Sequence, residues 1–198
     1  MSSSGSAGTS GTSGSSGASW RKKRSVFLAL VVALVSIVII WSIPDKPIVT
    51  DVIKPSTEPL LTKWVYEHSK QISRTGCKEI VQECLKTNKA LLIIALIATE
   101  SEYNQTAVSP KGATGLTQVM PGVWEKDLIS KGIIKERRDL FDLIPSVRAG
   151  DYVLSSCLVQ SKGDVTKALE LYLGGQDGYY VKRILSNLAN LYVLVEVN

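Results

Sequence analysis

The sequence predicts an all-α domain preceded by one transmembrane helix. Three observations carry that prediction. Ser25 to Pro44 reads SVFLALVVALVSIVIIWSIP without one charged residue, apolar residues recur at helical spacing after Pro59, and strand signals are weak throughout. The 198 residues leave room for one domain of ordinary size with appendages, and an apolar content of 44% is ordinary for a globular chain. The net charge of +5 does not point to nucleic acid, because Arg21, Lys22, Lys23 and Arg24 supply four of those five charges. The remainder is nearly neutral, and it holds no basic run interleaved with aromatics, so nucleic acid is excluded as a partner.

Taken in order, residues 1–24 form a tail of Ser, Gly, Thr and Ala closed by the basic cluster. Such a composition buries too little apolar surface to offset the entropy of ordering, so disorder is expected. Residues 25–43 are the expected membrane anchor: about twenty apolar residues at 1.5 Å rise each match the hydrocarbon thickness, and a buried soluble helix would show polar positions at a helical period. The positive-inside rule places the basic cluster in the cytoplasm and exports everything after Trp41. No Ala-x-Ala-like site comes after the run, so an uncleaved anchor is expected rather than a signal peptide. Residues 44–59, PDKPIVTDVIKPSTEP, hold four of the chain's seven prolines and read as an extended tether.

Residues 60–198 form the expected folded domain. Leu60, Leu61, Trp64, Val65, His68 and Ile72 lie on one helical face. A short segment carries Ile80, Val81, Cys84 and Leu85, and a third helix is expected over Ala90 to Tyr103, where length and Ala and Leu content favour helix over strand. Further helices are expected from Pro145 at a first helical position to Gln160, from Asp164 as a cap to Tyr172, and from Gly178 to Val195. Cys77, Cys84 and Cys157 have neither zinc nor redox spacing. On one helix Cys77 and Cys84 would stand roughly 10 Å apart, too far to bond each other, and pairing of either with Cys157 is left open. His68 has no second ligand at metal spacing, so no metal site and no cofactor is expected.

The stretch Glu100 to Pro121, ESEYNQTAVSPKGATGLTQVMP, carries the chemistry. A glutamate ends the most apolar helix in the chain, where desolvation disfavours its charged form and suits it to act as a general acid near neutral pH. Gly112 and Gly115 then mark a loop able to line a ligand groove. Taken alone, Glu100 reads as a surface glutamate at a helix end. Ser109 reads alone as a turn residue before Pro110, Tyr172 and Met120 as core, and Gln118 as exposed.

Together these residues resemble the lytic transglycosylase domain of the soluble-lytic-transglycosylase type. The resemblance rests on Glu100 with Ser101, then Ser109, Gly112, Ala113, Gly115, Leu116, Gln118, Met120 and Pro121 at fixed spacing, and extends more weakly from Leu91 to Leu194. Tyr172, Gly174 and Gly175 in LYLGG are similar to the family's Ala-Tyr-Asn-Ala-Gly segment, whose tyrosine lies beside the catalytic glutamate, and Tyr180 with Val181 to a Tyr-Val pair of its last helix. Leu173, Gln176, Ser146 and Thr117 depart from the family pattern.

The resemblance implies a lysozyme-like fold for residues 60–198 and non-hydrolytic cleavage of the β-1,4 bond between N-acetylmuramic acid and N-acetylglucosamine, giving a 1,6-anhydro product. It implies Glu100 as the single catalytic carboxylate, Ser109 and Tyr172 hydrogen-bonding the sugar and Glu100, and Gln118, Met120 and Tyr180 in substrate binding. Ordinary glycosidases use two carboxylates, and Glu102, two residues on in a helix, would turn away from Glu100. The expected partners are peptidoglycan strands, the membrane through one helix, and a secretion or other envelope assembly. The expected place is the inner membrane, single pass, with the N-terminus cytoplasmic and the catalytic domain periplasmic. A lysozyme-type hydrolase and an inactive glycan-binding or scaffold protein are the rival readings.

Overall fold

The structure is a computed structural model that describes residues 57–197. The predicted tail and anchor, and the tether up to residue 56, lie outside the described residues. Among the described residues no helix is long and apolar enough to cross a membrane.

The described residues fold into seven α-helices and one 3-10 helix, with two isolated bridges in place of any sheet. Helix α1 (Thr57–His68) starts three residues before the predicted tether ends. Pro59 falls in its first turn, where a missing N–H costs nothing. Leu61, Trp64 and Val65 face the core from α1. Ile72 joins that core from beyond the helix end, not from its face. Ser73 caps α2 (Arg74–Cys84) by accepting from the Gly76 amide at 3.2 Å.

Helix α3 (Ala90–Glu100) is the central rod, with Leu91 to Ile97 between 0% and 5% exposed. Helices α1, α2, α5 and α7 all pack against it. It ends at Glu100, three residues short of the expected Tyr103. The physical reason is a reversal of the backbone. Glu102 and Tyr103 adopt φ of +50° and +60°, an uncommon region for side-chain-bearing residues and one that a right-handed helix cannot include. Tyr103 secures the reversal by burying its ring completely and donating its hydroxyl to the Ile94 carbonyl at 2.9 Å.

A helix not expected from the sequence, α4 (Pro121–Ser130), comes after the glycine-bearing loop with Pro121 at its start. A 3-10 turn, Arg137–Phe141, is closed by a reciprocal capping box between Glu136 and Asp139. Helix α5 (Leu143–Gln160) begins two residues before Pro145, which therefore sits within the first turn instead of at its first position. Asp164 caps α6 (Val165–Leu173) through the Lys167 amide at 3.0 Å, and Gly174 ends it at φ +74°. Asp177 caps α7 (Gly178–Glu196) by accepting from the amides of Tyr179 and Tyr180.

Between α2 and α5, the buried carboxylate of Glu83 is held by Arg148 and Lys86, each at 2.6 Å. Burial acts to raise its pKa, but the two cations prevail and hold the carboxyl below its ordinary range. Cys77, Cys84 and Cys157 are all buried and free, and burial pushes their thiols up. His68 closes α1 as an exposed boundary residue, stacked on Trp64 at 3.9 Å.

Candidate active site

Glu100 is the last residue of α3, so a continuous apolar helix delivers its carboxyl to the edge of the core. Its partner comes from the far end of the chain. Tyr180, in the first turn of α7 and 9% exposed, donates its hydroxyl to Glu100 Oε1. Burial pushes the Glu100 carboxyl up to about 7, opposed by the Tyr180 hydrogen bond and by the charge of Arg183 one turn further along α7. No second carboxylate is among the groups that move it. The side chain beside Glu100 is tied as well: Asn187 donates to Thr99 Oγ1 at 3.1 Å, fixing α7 against the end of α3.

The loop from Asn104 to Met120 is anchored to the same helix end, because the Ser101 hydroxyl donates to the Leu116 carbonyl at 2.7 Å. Two glycines let it pack closely. Gly115 has φ +80°, and a Cβ there would lie 1.9 Å from the Leu140 carbonyl oxygen. On α5, a Cβ at Gly150 would meet Thr117 Cγ2 at 2.4 Å. Thr117 uses that space, fully buried with its hydroxyl donating to the Ser146 carbonyl at 2.8 Å. Ser146 is itself fully buried, and its hydroxyl finds no partner among the described residues.

The structure sorts the predicted site residues into two groups. Glu100 and Tyr180 are joined directly. Tyr172 is near enough for the Glu100 charge to act on its phenol, but its hydroxyl donates to the Thr117 carbonyl at 2.7 Å. The expected hydrogen bond from Tyr172 to Glu100 is therefore replaced by one from Tyr180. The cause is packing: α7 lies along α3, whereas Tyr172 on α6 reaches the loop. Ser109 and Gln118 bond within the loop. Ser109 Oγ accepts from the Ala113 amide at 3.0 Å, and Gln118 Nε2, from a residue at φ +48°, donates to the Ala107 and Gly115 carbonyls. Met120 is the N-cap residue of α4 and half-buried.

Glu102 is exposed and paired with Lys70 at 3.2 Å. It turns from Glu100 because it has left the helix, not because of helical rotation. Arg183 went unremarked in the sequence. The signal that could have found it is its place on the α7 stripe Tyr180, Arg183, Asn187, at spacings of three and four. Among the described residues no cluster of His, Cys, Asp or Glu could hold a metal ion.

Chemically, a half-buried carboxyl that titrates near neutrality can give a proton and take one back within one reaction. A buried phenol donating to it favours its charged form once the proton has left. Residues 80–180, just over half of the chain and including Glu100 and Tyr180, match the family model described as Transglycosylase SLT domain. No curated protein and no solved structure matches the chain.

Proposed function

The chain belongs to the transglycosylase SLT domain family, and from that premise we propose that it is a membrane-anchored lytic transglycosylase with Glu100 as its only catalytic carboxylate. The observation that supports this most is the lone, desolvated carboxyl of Glu100 held by the Tyr180 hydroxyl. In its acid form Glu100 protonates the oxygen that links muramic C1 to the next sugar, and the C1–O bond breaks with its electron pair leaving on that oxygen. The substrate's acetamido group stabilises C1. The Glu100 carboxylate, now accepting from Tyr180, removes the proton from the muramic C6 hydroxyl as O6 bonds to C1. The acid is regenerated, no water is consumed, and the product carries a 1,6-anhydro ring.

Residues 25–43 would hold the enzyme in the inner membrane, single pass, and the tether would carry residues 60–198 on the periplasmic side, where the glycan lies. Service to a secretion or other envelope assembly belongs to the same proposal. Its support is the sequence pattern alone: a charge-free run behind four basic residues.

Mass spectrometry of digested peptidoglycan tests the chemistry. Wild type should release anhydro-muramic ends and Glu100→Gln none. Reducing muramic ends without anhydro product would replace the transglycosylase reading with a hydrolase. Equal inertness of wild type and variant would leave only a glycan-binding role.

A further inference from the structure

The Glu100 carboxylate has to form where the fold disfavours it twice. Burial opposes its charged form. Glu100 also ends α3, and the carbonyls of a helix's last turn carry partial negative charge. The Tyr180 hydroxyl compensates at contact with one hydrogen bond, but a neutral phenol brings no positive charge to the site.

Helix α7 supplies that charge. Its stripe Tyr180, Arg183, Asn187 is fixed to the end of α3 at two points, because Tyr180 donates to Glu100 and Asn187 donates to Thr99 Oγ1 at 3.1 Å. Arg183 stands between them, about 4.5 Å along the helix axis from Tyr180 at 1.5 Å per residue. No hydrogen bond or ion pair joins Arg183 to Glu100, yet its charge acts on the carboxyl. The guanidinium is exposed, and among the described residues no ion pair engages it. The other groups nearby are neutral or committed elsewhere. Tyr172 faces Glu100 from α6 as a buried phenol that donates to the Thr117 carbonyl. Across the recess that Arg183 lines, His68 on α1 uses Nδ1 on the Trp64 carbonyl at 2.8 Å, and Glu102 beyond α3 is paired with Lys70 at 3.2 Å. Arg183 is thus the one cation among the groups that act on the Glu100 carboxyl.

We infer that Arg183 is a positioning residue of the proposed reaction: acting through Glu100, its charge supports the carboxylate in the base half of the turnover and ties the acid to the ionic strength around the enzyme. The inference rests on the proposed function, since it takes Glu100 to act as acid and then as base. Contact is not required, because the attraction between opposite charges falls only with the inverse of their separation. The two supports on α7 therefore differ in kind. The Tyr180 hydrogen bond is short-ranged and buried, so salt leaves it alone. The Arg183 charge stands in solvent, where salt at about 0.1 M screens over about 10 Å. As salt rises, that support weakens, Glu100 holds its proton more tightly, and the acid form persists to higher pH.

Two measurements on the full chain test this. One is the pH profile of kcat/KM for release of anhydro-muramic ends. The other is the NMR titration of the Glu100 carboxyl carbon, identified by the resonance that Glu100→Gln lacks. In Arg183→Gln the alkaline limb and the titration midpoint should rise together by about half a pH unit, the size expected of one exposed charge, and Arg183→Lys should restore both. Raising the salt from about 0.02 M to about 0.5 M should lift the wild-type midpoint by a similar amount and the Arg183→Gln midpoint less than half as far. Equal midpoints in wild type and Arg183→Gln overturn the inference even where the variant is slower, because a rate loss without a shift belongs to packing or to substrate contact. A shift that Arg183→Lys does not reverse, or an equal salt response in both proteins, overturns it as well. A wild type that forms no anhydro ends overturns the proposed function instead, and the titration still reads whether Arg183 acts on Glu100.

Discussion

Glu100→Gln should abolish cleavage and at the same time stabilise the domain, by an amount that depends on pH. In the folded chain burial pushes the Glu100 carboxyl up to about 7 from its ordinary 4.5. Between those two pH values the native chain keeps a proton that the unfolded chain has released. Stability therefore falls as pH rises from about 4.5 to about 7 and then levels off. At about 1.4 kcal/mol for each pH unit of separation, the whole effect is about 3 kcal/mol. Glutamine has no charge to desolvate and still offers an oxygen to the Tyr180 hydroxyl. Its advantage should be absent near pH 4 and reach up to about 3 kcal/mol near pH 8. Urea unfolding of both proteins at a series of pH values measures this directly, since the midpoint moves while the slope, set by the surface exposed, stays constant. A stability gap that does not change across that range would mean that the carboxyl is solvated, and Glu100 would then be no acid at neutral pH.

Two further substitutions probe the site's supports. Tyr180→Phe removes the hydroxyl that favours the Glu100 carboxylate, so the alkaline limb of the pH–rate profile should move up by about one pH unit while kcat falls roughly tenfold. An alkaline limb that stays in place would show that the phenol does not govern the proton. Gly115→Ala forces a side chain into φ +80° and against the Leu140 carbonyl, so it should cost roughly 2–4 kcal/mol in a thermal or urea melt. A loss under about 0.5 kcal/mol would mean that the loop is free to move away from the 3-10 turn, and that its glycine serves some other purpose.

Much of this architecture is legible in the sequence because local chemistry and burial agree. Asp164 caps the helix that its position announces, and the run from Ala90 to Ile97 is so apolar that only a central helix suits it. Helix α4 escapes notice because PGVWEKDLIS buries only Pro121 and Leu128, too sparse a stripe to register as a helical period. The end of α3 is misplaced for the opposite reason. Tyr103 continues the apolar pattern, yet it reaches the core by folding back onto Ile94 through two positive-φ residues, a reversal that periodicity cannot express. Glu100 stands out in the sequence because its neighbours are apolar. Which tyrosine serves it does not, because both are aromatic residues near helix ends and the choice depends on how α7 lies against α3. Ser109 and Gln118 are legible as loop residues, but their bonds turn inward to shape the loop.

The hydrogen bond between Tyr180 and Glu100 spans eighty positions of sequence. A chain is made from its N-terminus, and its earlier portions begin to fold first. The carboxyl therefore emerges long before the hydroxyl that steadies its ionised form. A polypeptide halted before Asp177 would possess the acid and the loop but neither Tyr180 nor the helix that covers one side of α3. Under the proposed function, cleavage would await α7, the helix that brings Tyr180 to Glu100.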